Sequence, residues 1–311
     1  MQQFCFLFPG QGAQYVGMGK TFYDMFPTAK HCFEEADEIL NKRLSEIIFH
    51  GPESLLTETK VAQPAIFVTS MAILRVLKEE FSLTSPVCTA GLSLGEYSAV
   101  VSSGALDFQK ALKLVNLRGE LMHKACEETK GGMLVILGLS DEQVRNLVSE
   151  LNMPNDLWAA NFNCPGQVVV SGTAKGIEAA QKKAKELGAK RALPLQVHGA
   201  FHSGLMLGAQ QGLQKALSQV QFTTPVTPIV TNTTGEFCTD ITQLRQNLEA
   251  QVTSSVLWHQ CIQSCMTKKF SHFIEIGCGT TLAGLNKRIG VTLPTLTIET
   301  VDDLKLLEKV I

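Results

Sequence analysis

The residues around Ser93 are of the types that a nucleophilic serine requires. It lies between two glycines in Gly91-Leu-Ser-Leu-Gly95, after a strand-like run and before a helix-like run. This strand-turn-helix context is what a G-x-S-x-G nucleophile elbow needs, and small glycines let the strand and the helix pack closely. The backbone N–H of Leu94 could then stabilise an oxyanion at the helix start. The alternative is a helix N-cap at Ser93, with Glu96 completing a capping box.

A serine hydroxyl needs a base to be nucleophilic at neutral pH. In elbow enzymes the histidine follows the serine in the sequence, which excludes His31 and His50 as the base. His202 lies in a small-residue loop where the predicted cleft should be, and His198 in the same loop is its main competitor. The other histidines are His123, His259 and His272. His123 and His272 lie in segments with the hydrophobic periodicity of a helix or a strand, so we interpret them as structural residues. The group that orients the base, a carboxylate or a carbonyl, is not identified by spacing.

Two further sites could complete such chemistry. The loop Pro9–Gln14 follows the first predicted strand but matches neither a P-loop nor G-x-G-x-x-G, so a phosphate cradle is not expected. Its two glycines could instead present the backbone N–H of Gln11 as a second oxyanion donor, or form an ordinary tight turn. Arg118 lies on the mostly apolar stretch Ala111–Met122, where a core-facing charge needs a partner. A guanidinium matches a carboxylate in a bidentate fork, but a surface arginine or a structural ion pair would also explain it.

The order of elements predicts an α/β protein with a parallel sheet. The predicted strands are Phe4–Phe8, Val87–Gly91, Thr227–Val230 and Phe273–Ile276, and the predicted helices are Thr28–Leu40, Gln63–Leu77, Ser93–Val101, Asp107–Glu128, Leu205–Val220 and Leu244–Gln251.

Residues 129–197 follow a different rhythm and are predicted to form an inserted subdomain. The predicted elements are Met133–Leu137, Asp141–Leu151, Trp158–Phe162, Gln167–Ser171, Lys175–Leu187 and Ala192–Val197. This β-α-β-β-α-β order is ferredoxin-like. The remaining residues, 1–128 and 198–311, would form the large domain, with the substrate cleft between the two bodies.

Composition disfavours several classes of function. The net charge is −2, so neither nucleic acid nor an anionic membrane is expected as a partner. The apolar segment Ala65–Leu77 is too short for a membrane span and contains Arg75, so we predict a buried core helix there. Nine scattered cysteines include no CxxC pair, and Cys261-x3-Cys265 lacks companion ligands, so we predict reduced core thiols and no metal. The first residues lack the features of a signal peptide, and we expect a cytoplasmic protein.

Several motifs, in this order, resemble the malonyl-CoA:acyl carrier protein transacylases over residues 4–290. They are Phe8–Gly12, Gly91–Ala99, Asn161–Val168, Gly199–Ser203 and Glu275–Gly279, together with Arg118 and with Gln251 ahead of Val256-Leu-Trp258. The chain departs from this family's usual pattern at Leu92, where a histidine is common, and at Cys278, where a proline is common. The resemblance implies an α/β-hydrolase-like core with a ferredoxin-like insertion.

The resemblance also implies a role for each site residue. Ser93 would be the nucleophile, His202 the base, and Arg118 the group that holds the malonyl carboxylate. The N–H groups of Gln11 and Leu94 would form the oxyanion hole, and the backbone carbonyl of Gln251 would orient His202. Asn163 is a possible substrate contact.

The implied activity moves malonyl from malonyl-CoA to the phosphopantetheine thiol of acyl carrier protein, for fatty acid synthesis. We expect a monomer that needs no cofactor or metal. Two alternative functions remain open. One is a serine esterase or thioesterase with the same Ser-His dyad, and the other is an inactive partner-binding protein.

Overall fold

The computed structural model describes residues 3–83, 85–197 and 199–311. The strands of this part are β1 (Phe4–Phe8), β2 (Cys88–Gly91), β3 (Gly131–Leu137), β4 (Leu157–Cys164), β5 (Gln167–Thr173), β6 (Arg191–Pro194), β7 (Ile229–Val230), β8 (Phe237–Cys238), β9 (His272–Ile276) and β10 (Thr295–Ile298). The α-helices are α1 (Lys20–Met25), α2 (Pro27–Leu40), α3 (Leu44–His50), α4 (Glu53–Leu56), α5 (Thr59–Glu80), α6 (Gly95–Ser102), α7 (Phe108–Glu128), α8 (Asp141–Leu151), α9 (Ala174–Glu186), α10 (Leu207–Gln219), α11 (Ile241–Ala250), α12 (Trp258–Cys265), α13 (Thr281–Ile289) and α14 (Leu304–Leu307). Short 3₁₀ turns occur at Gly204–Met206 and Val301–Asp303.

The larger sheet has the strand order β10-β9-β1-β2-β7-β8. All its pairs are parallel except β7–β8. Every residue of β1 and β2 is buried, as expected for central parallel strands covered on both faces. The predicted α/β class with a parallel sheet is therefore confirmed. The strand observed in the predicted range Thr227–Val230 is shorter than predicted, since only Ile229–Val230 pairs with β2.

The second sheet has the order β4-β5-β3-β6 and is antiparallel throughout. Its strands and helices α8 and α9 follow the β-α-β-β-α-β order predicted for this region. A capping box at Ser140 and Gln143 starts α8, and Gly166, with φ 75°, lies in the β4–β5 turn. Strand β6 ends at Pro194, short of the predicted Val197.

Helix α5 is the central helix of the larger unit. It has 22 residues instead of the 15 predicted for Gln63–Leu77. By length and composition it could cross a membrane, but 89% of its most apolar window is buried inside the protein. Pro64 is the sixth residue of this helix and has no N–H, so the helix lacks the one hydrogen bond that residue 64 would donate to the carbonyl of Lys60. We conclude that α5 is a buried core helix, as predicted.

Two backbone hydrogen bonds tie the second sheet to the larger unit. The N–H of Phe162, in β4, donates to the carbonyl of Val256 at 2.9 Å, and the N–H of Val256 donates to the carbonyl of Ala160 at 2.8 Å. Val256 lies just before α12 and beside Asn161. These bonds fix the edge of the second sheet against the end of the larger sheet, and a pocket lies between them.

Candidate active site

The turn between β2 and α6 places Ser93 in a strained conformation. Its φ is 52°, in the left-handed region that favours glycine. A Cβ atom at Gly91 would lie 1.9 Å from the carbonyl oxygen of Gly95, and one at Gly95 would lie 2.2 Å from that of Phe8. Only glycine therefore fits on either side of the serine. Helix α6 begins at Gly95 rather than at the predicted Ser93, and no side chain caps it, so the capping-box alternative is wrong.

Ser93 and His202 meet although 109 residues separate them in the chain. The Oγ atom of Ser93 lies 2.8 Å from Nε2 of His202, and Nδ1 of His202 lies 2.8 Å from the backbone oxygen of Gln251. A carbonyl can only accept, so Nδ1 carries the proton and Nε2 is free to accept from Ser93. His202 is 4% exposed and has a φ of 57°, a second strained residue at this point. The competing base His198 lies outside the described residues.

The environment of His202 favours its neutral form. Burial, and then the nearby positive charge of Arg118, lower the pKa of His202 to about 4, although hydrogen bonds to the backbone at Gln251 and Ser254 oppose the shift. A base must be unprotonated to accept the serine proton, so this environment keeps the imidazole ready at neutral pH.

Arg118 is a buried cation without a carboxylate partner in the described part of the chain. Its side chain is 2% exposed, and it donates to Oε1 of Gln63, to Oγ of Ser93 at 3.1 Å and to Oε1 of Gln251 at 2.8 Å. Its Nε has no partner there. Arg118 is therefore not a surface arginine, and it forms no ion pair with the described residues. An anionic group next to Ser93 would supply the missing negative charge.

Two backbone donors are available beside Ser93. Within the described residues the N–H groups of Gln11 and Leu94 have no hydrogen-bond acceptor, and both residues line the pocket that contains Ser93. The side chain of Gln11 is held by a 3.1 Å bond to Oγ1 of Thr59, which fixes the loop after β1.

The pocket at Ser93 is a mostly apolar cavity of about 220 Å³ between the two sheets. Its polar lining includes Asn161 and Asn163 of β4, and the Oδ1 atom of Asn163 is buried with no hydrogen-bond partner among the described residues. Leu92, at the position before the serine, also lines it. The cavity therefore offers unsatisfied polar groups near Ser93 as well as an apolar wall.

Helix α13 contributes Thr281 and Leu285 to the pocket. Its start is held by the buried carboxylate of Glu275, which accepts the N–H groups of Leu282 and Ala283 at 2.9 and 2.8 Å. Burial raises the pKa of Glu275 to about 7, and these hydrogen bonds counteract the shift. The motif Glu275–Gly279 thus positions one side of the pocket.

Sequence reasoning missed three polar residues of the site. Gln63 accepts from Arg118, Asn232 binds both Gly91 and Ser93, and Glu96 binds Gln251. Gln63 interrupts an apolar helical stretch, which was a usable signal of a buried polar contact. Nothing local to Asn232 or Glu96 indicates their partners, since those lie more than 130 residues away in the chain.

One group of potential metal ligands occurs in residues 3–83, 85–197 and 199–311. The sulfur atoms of Cys5, Cys88 and Cys265 lie within 4.8 Å of one another, and all three residues are buried. Apolar residues such as Leu7, Trp258 and Phe273 surround them. These surroundings suit the neutral thiols of a core better than three thiolates, and all nine cysteines are free.

Comparisons with known proteins agree on one family. A family model described as acyl transferase domain matches residues 5–289. The chain is 42% identical over 307 residues to malonyl CoA-acyl carrier protein transacylase of Bacillus subtilis, covering 98% of this chain and 96% of that protein. An acyl carrier protein S-malonyltransferase from Vibrio cholerae has a TM-score of 0.94 and 38% identity, covering 98% of this chain and 99% of that one. A malonyl-transacylase solved in complex with its type II PKS acyl-carrier protein has a TM-score of 0.94 and 37% identity, with 99% of both chains covered.

Proposed function

Since the chain belongs to the acyl transferase domain family, we propose that it transfers malonyl from malonyl-CoA to acyl carrier protein through an ester on Ser93. The relatives that match over nearly the whole chain carry this activity in their names. The observation that carries the assignment is the position of Arg118. This buried cation has no carboxylate partner in the described ranges, and its guanidinium lies 3.1 Å from the hydroxyl of Ser93.

The first half-reaction forms the ester. His202 takes the proton of Ser93 through Nε2, and the serine oxygen attacks the thioester carbonyl of malonyl-CoA. The N–H groups of Gln11 and Leu94 stabilise the tetrahedral oxyanion, each by roughly 3 kcal/mol as measured for oxyanion donors elsewhere. The carbonyl re-forms, the C–S bond breaks, and the CoA sulfur leaves as a thiol with the proton from His202.

The second half-reaction reverses these steps with a different thiol. The phosphopantetheine thiol of acyl carrier protein gives its proton to His202 and attacks the ester. The malonyl thioester of the carrier protein leaves, and Ser93 recovers its proton. No metal or redox group is needed to balance either step.

Arg118 selects the malonyl group. Its guanidinium binds the free carboxylate while the thioester carbonyl lies at Ser93, and a charge-assisted pair of this kind stabilises the anion strongly in a buried site. Gln251 orients His202 through its backbone carbonyl. Asn163, with its unpartnered Oδ1, contacts the bound substrate at the wall of the pocket.

The architecture and setting of the enzyme form part of the proposal. We infer an α/β-hydrolase-like core made of residues 1–128 and 198–311, and a ferredoxin-like subdomain of residues 129–197. The strand order of each sheet supports this division. We further propose a cytoplasmic monomer that acts without a cofactor or metal.

Transfer is tested by supplying malonyl-CoA with and without phosphopantetheinylated acyl carrier protein. The proposal predicts that malonyl appears on the carrier protein, by mass spectrometry, much faster than free malonate is released. A carrier protein without phosphopantetheine should accept nothing. Rapid release of malonate with no malonyl carrier protein would show a thioesterase instead.

A further inference from the structure

The peptide units of Ser93 are held on both sides by buried side-chain amides. The N–H of Ser93 donates to Oδ1 of Asn232 at 2.6 Å, and its carbonyl accepts from Nε2 of Gln251 at 2.8 Å. Residues other than glycine resist the left-handed conformation that Ser93 adopts. These two bonds therefore oppose relaxation of the turn.

Asn232 spans the whole elbow. It is fully buried and follows β7, the neighbour of β2 in the sheet. Its Nδ2 donates to the carbonyl of Gly91 at 2.8 Å while its Oδ1 accepts from Ser93. One amide thus uses its donor and its acceptor on two peptide groups of the same turn.

Glu96 joins Asn232 to Gln251. Its Oε1 accepts the N–H of Asn232 at 3.3 Å, and its Oε2 accepts from Nε2 of Gln251. Gln251 in turn accepts from Arg118 and, through its backbone carbonyl, orients His202. Glu96 is fully buried, and burial raises its pKa to about 7 although hydrogen bonds to Gln251 and Asn232 act against the shift.

We propose that Asn232 is a positioning residue for the nucleophile, acting through the peptide groups of Ser93, and that Glu96 holds Asn232 and Gln251 in place. This rests on the proposed function only in taking Ser93 as the nucleophile. The bond from Asn232 occupies the N–H of Ser93, and the N–H groups of Gln11 and Leu94 are left for the substrate. It also keeps the serine oxygen within reach of His202.

The substitution Asn232→Asp tests this role with almost no change of shape. An ionised carboxyl group still accepts from Ser93 but cannot donate to Gly91, so two oxygens would face each other. A protonated carboxyl group can do both. The groups facing it are Glu96 from α6 and the Cys261 thiol from α12, with Arg118 reached only through Gln251. Nearby negative charge and burial favour the protonated form, so the variant should work at low pH and fail as the pH rises.

The readout is the rate at which a fluorophosphonate labels Ser93, followed by intact mass, since this probe needs no acyl specificity. At pH 8 we expect Asn232→Asp to be labelled at least about tenfold more slowly than the unchanged protein, the size expected for a lost buried hydrogen bond. The deficit should shrink steadily as the pH is lowered to 5. Asn286→Asp is the matched control: Asn286 is 2% exposed, and its amide donates to Thr295, away from Ser93. It should stay within twofold of the unchanged protein at each pH.

Glu96→Gln extends the test if Asn232→Asp does not fold. A glutamine offers one acceptor where the ionised carboxylate of Glu96 uses two, so labelling should slow at pH 8, where Glu96 is ionised. Equal labelling rates in folded variants and unchanged protein would overturn the proposal, as would an equal slowing in Asn286→Asp. A failure to label Ser93 in the unchanged protein would instead contradict its role as nucleophile.

Discussion

At the scale of single residues, the site concentrates backbone strain and buried charge around one hydroxyl group. Ser93 and His202 both have positive φ values, 52° and 57°. Each such residue costs about 1–3 kcal/mol, so the surrounding contacts must hold it in place. Buried amides and a backbone carbonyl provide these contacts.

Replacing Arg118 should lower the activity with malonyl-CoA far more than the activity with thioesters of uncharged acyl groups. We expect Arg118→Ala to lower kcat/KM for malonyl-CoA by about 100-fold, because it removes a buried charge-assisted pair with the carboxylate. The loss for acetyl-CoA should be at least tenfold smaller, since acetyl has no carboxylate and only the bonds of Arg118 to Gln63, Ser93 and Gln251 are lost. Acylation kinetics with both thioesters provide the measurement.

The variant Arg118→Lys is the control for charge. It keeps the positive charge but not the planar fork, so it should recover only part of the malonyl activity. Equal losses for malonyl and acetyl in Arg118→Ala would remove the proposed role in selectivity.

His202 should become protonated only at unusually low pH. Burial and Arg118 lower its pKa to about 4, so the imidazole stays neutral, and competent as a base, down to about pH 4, and gains its proton only below that. Nitrogen NMR of labelled histidine, with His202→Gln to assign the signal, measures the midpoint. Arg118→Gln removes a positive charge and should raise this midpoint. A midpoint of 6–7 in the unchanged protein would contradict the described environment.

Sequence reasoning predicted the two side chains that the structure brings together, Ser93 and His202, and missed polar residues that contact them. Ser93 was singled out because it lies between glycines in a strand-turn-helix context, and the family resemblance favoured His202 over His198. Asn232 was not found, and Glu96 was considered only as part of a capping box, because their contacts depend on β7 lying beside β2 and on the return of α11 to the elbow. Such contacts are set by the order of strands, which spacing does not reveal.

At the scale of elements, the approach of α6 to β1 limits the size of residue 95. A methyl group at this position would overlap the carbonyl oxygen of Phe8, which belongs to a central strand and cannot move aside. We expect Gly95→Ala to lower the free energy of unfolding by about 3 kcal/mol or more. Chemical denaturation measures this.

Gly284→Ala is the matched control for that change. Gly284 lies within α13, and a Cβ atom there would meet no atom of the described residues within 4 Å outside its own helix turn. Alanine favours a helix more than glycine does, so stability should rise by up to about 1 kcal/mol. Equal, small effects of the two substitutions would show that α6 does not pack closely on β1.

Elements with strong hydrophobic patterns were predicted well. Strands β1 and β9 and helices α7 and α8 lie within one or two residues of their predicted bounds, because their apolar runs or caps are clear. Strand β10 was missed: its sequence Thr-Leu-Thr-Ile is short and only partly buried at the sheet edge. Helix α5 was predicted too short because polar residues occupy its first turn, where tertiary packing decides the boundary.

At the scale of the whole molecule, the pocket exists because two sheets meet. The larger unit contributes Ser93, Arg118 and His202, and β4 and β5 contribute Asn163 and Gln167 to the opposite wall. The backbone bonds at Val256 hold this wall in place. The polar groups lie on both walls of a mostly apolar cavity, an arrangement suited to a small anionic acyl group on a long thiol carrier.

The central claim is that malonyl is carried on Ser93. Incubation of the protein with malonyl-CoA, followed by intact mass and peptide mapping, should show one added malonyl group on Ser93. Ser93→Ala should gain no mass, and His202→Ala should gain it slower by orders of magnitude. Malonyl found on another residue, or retained in full by Ser93→Ala, would contradict the account.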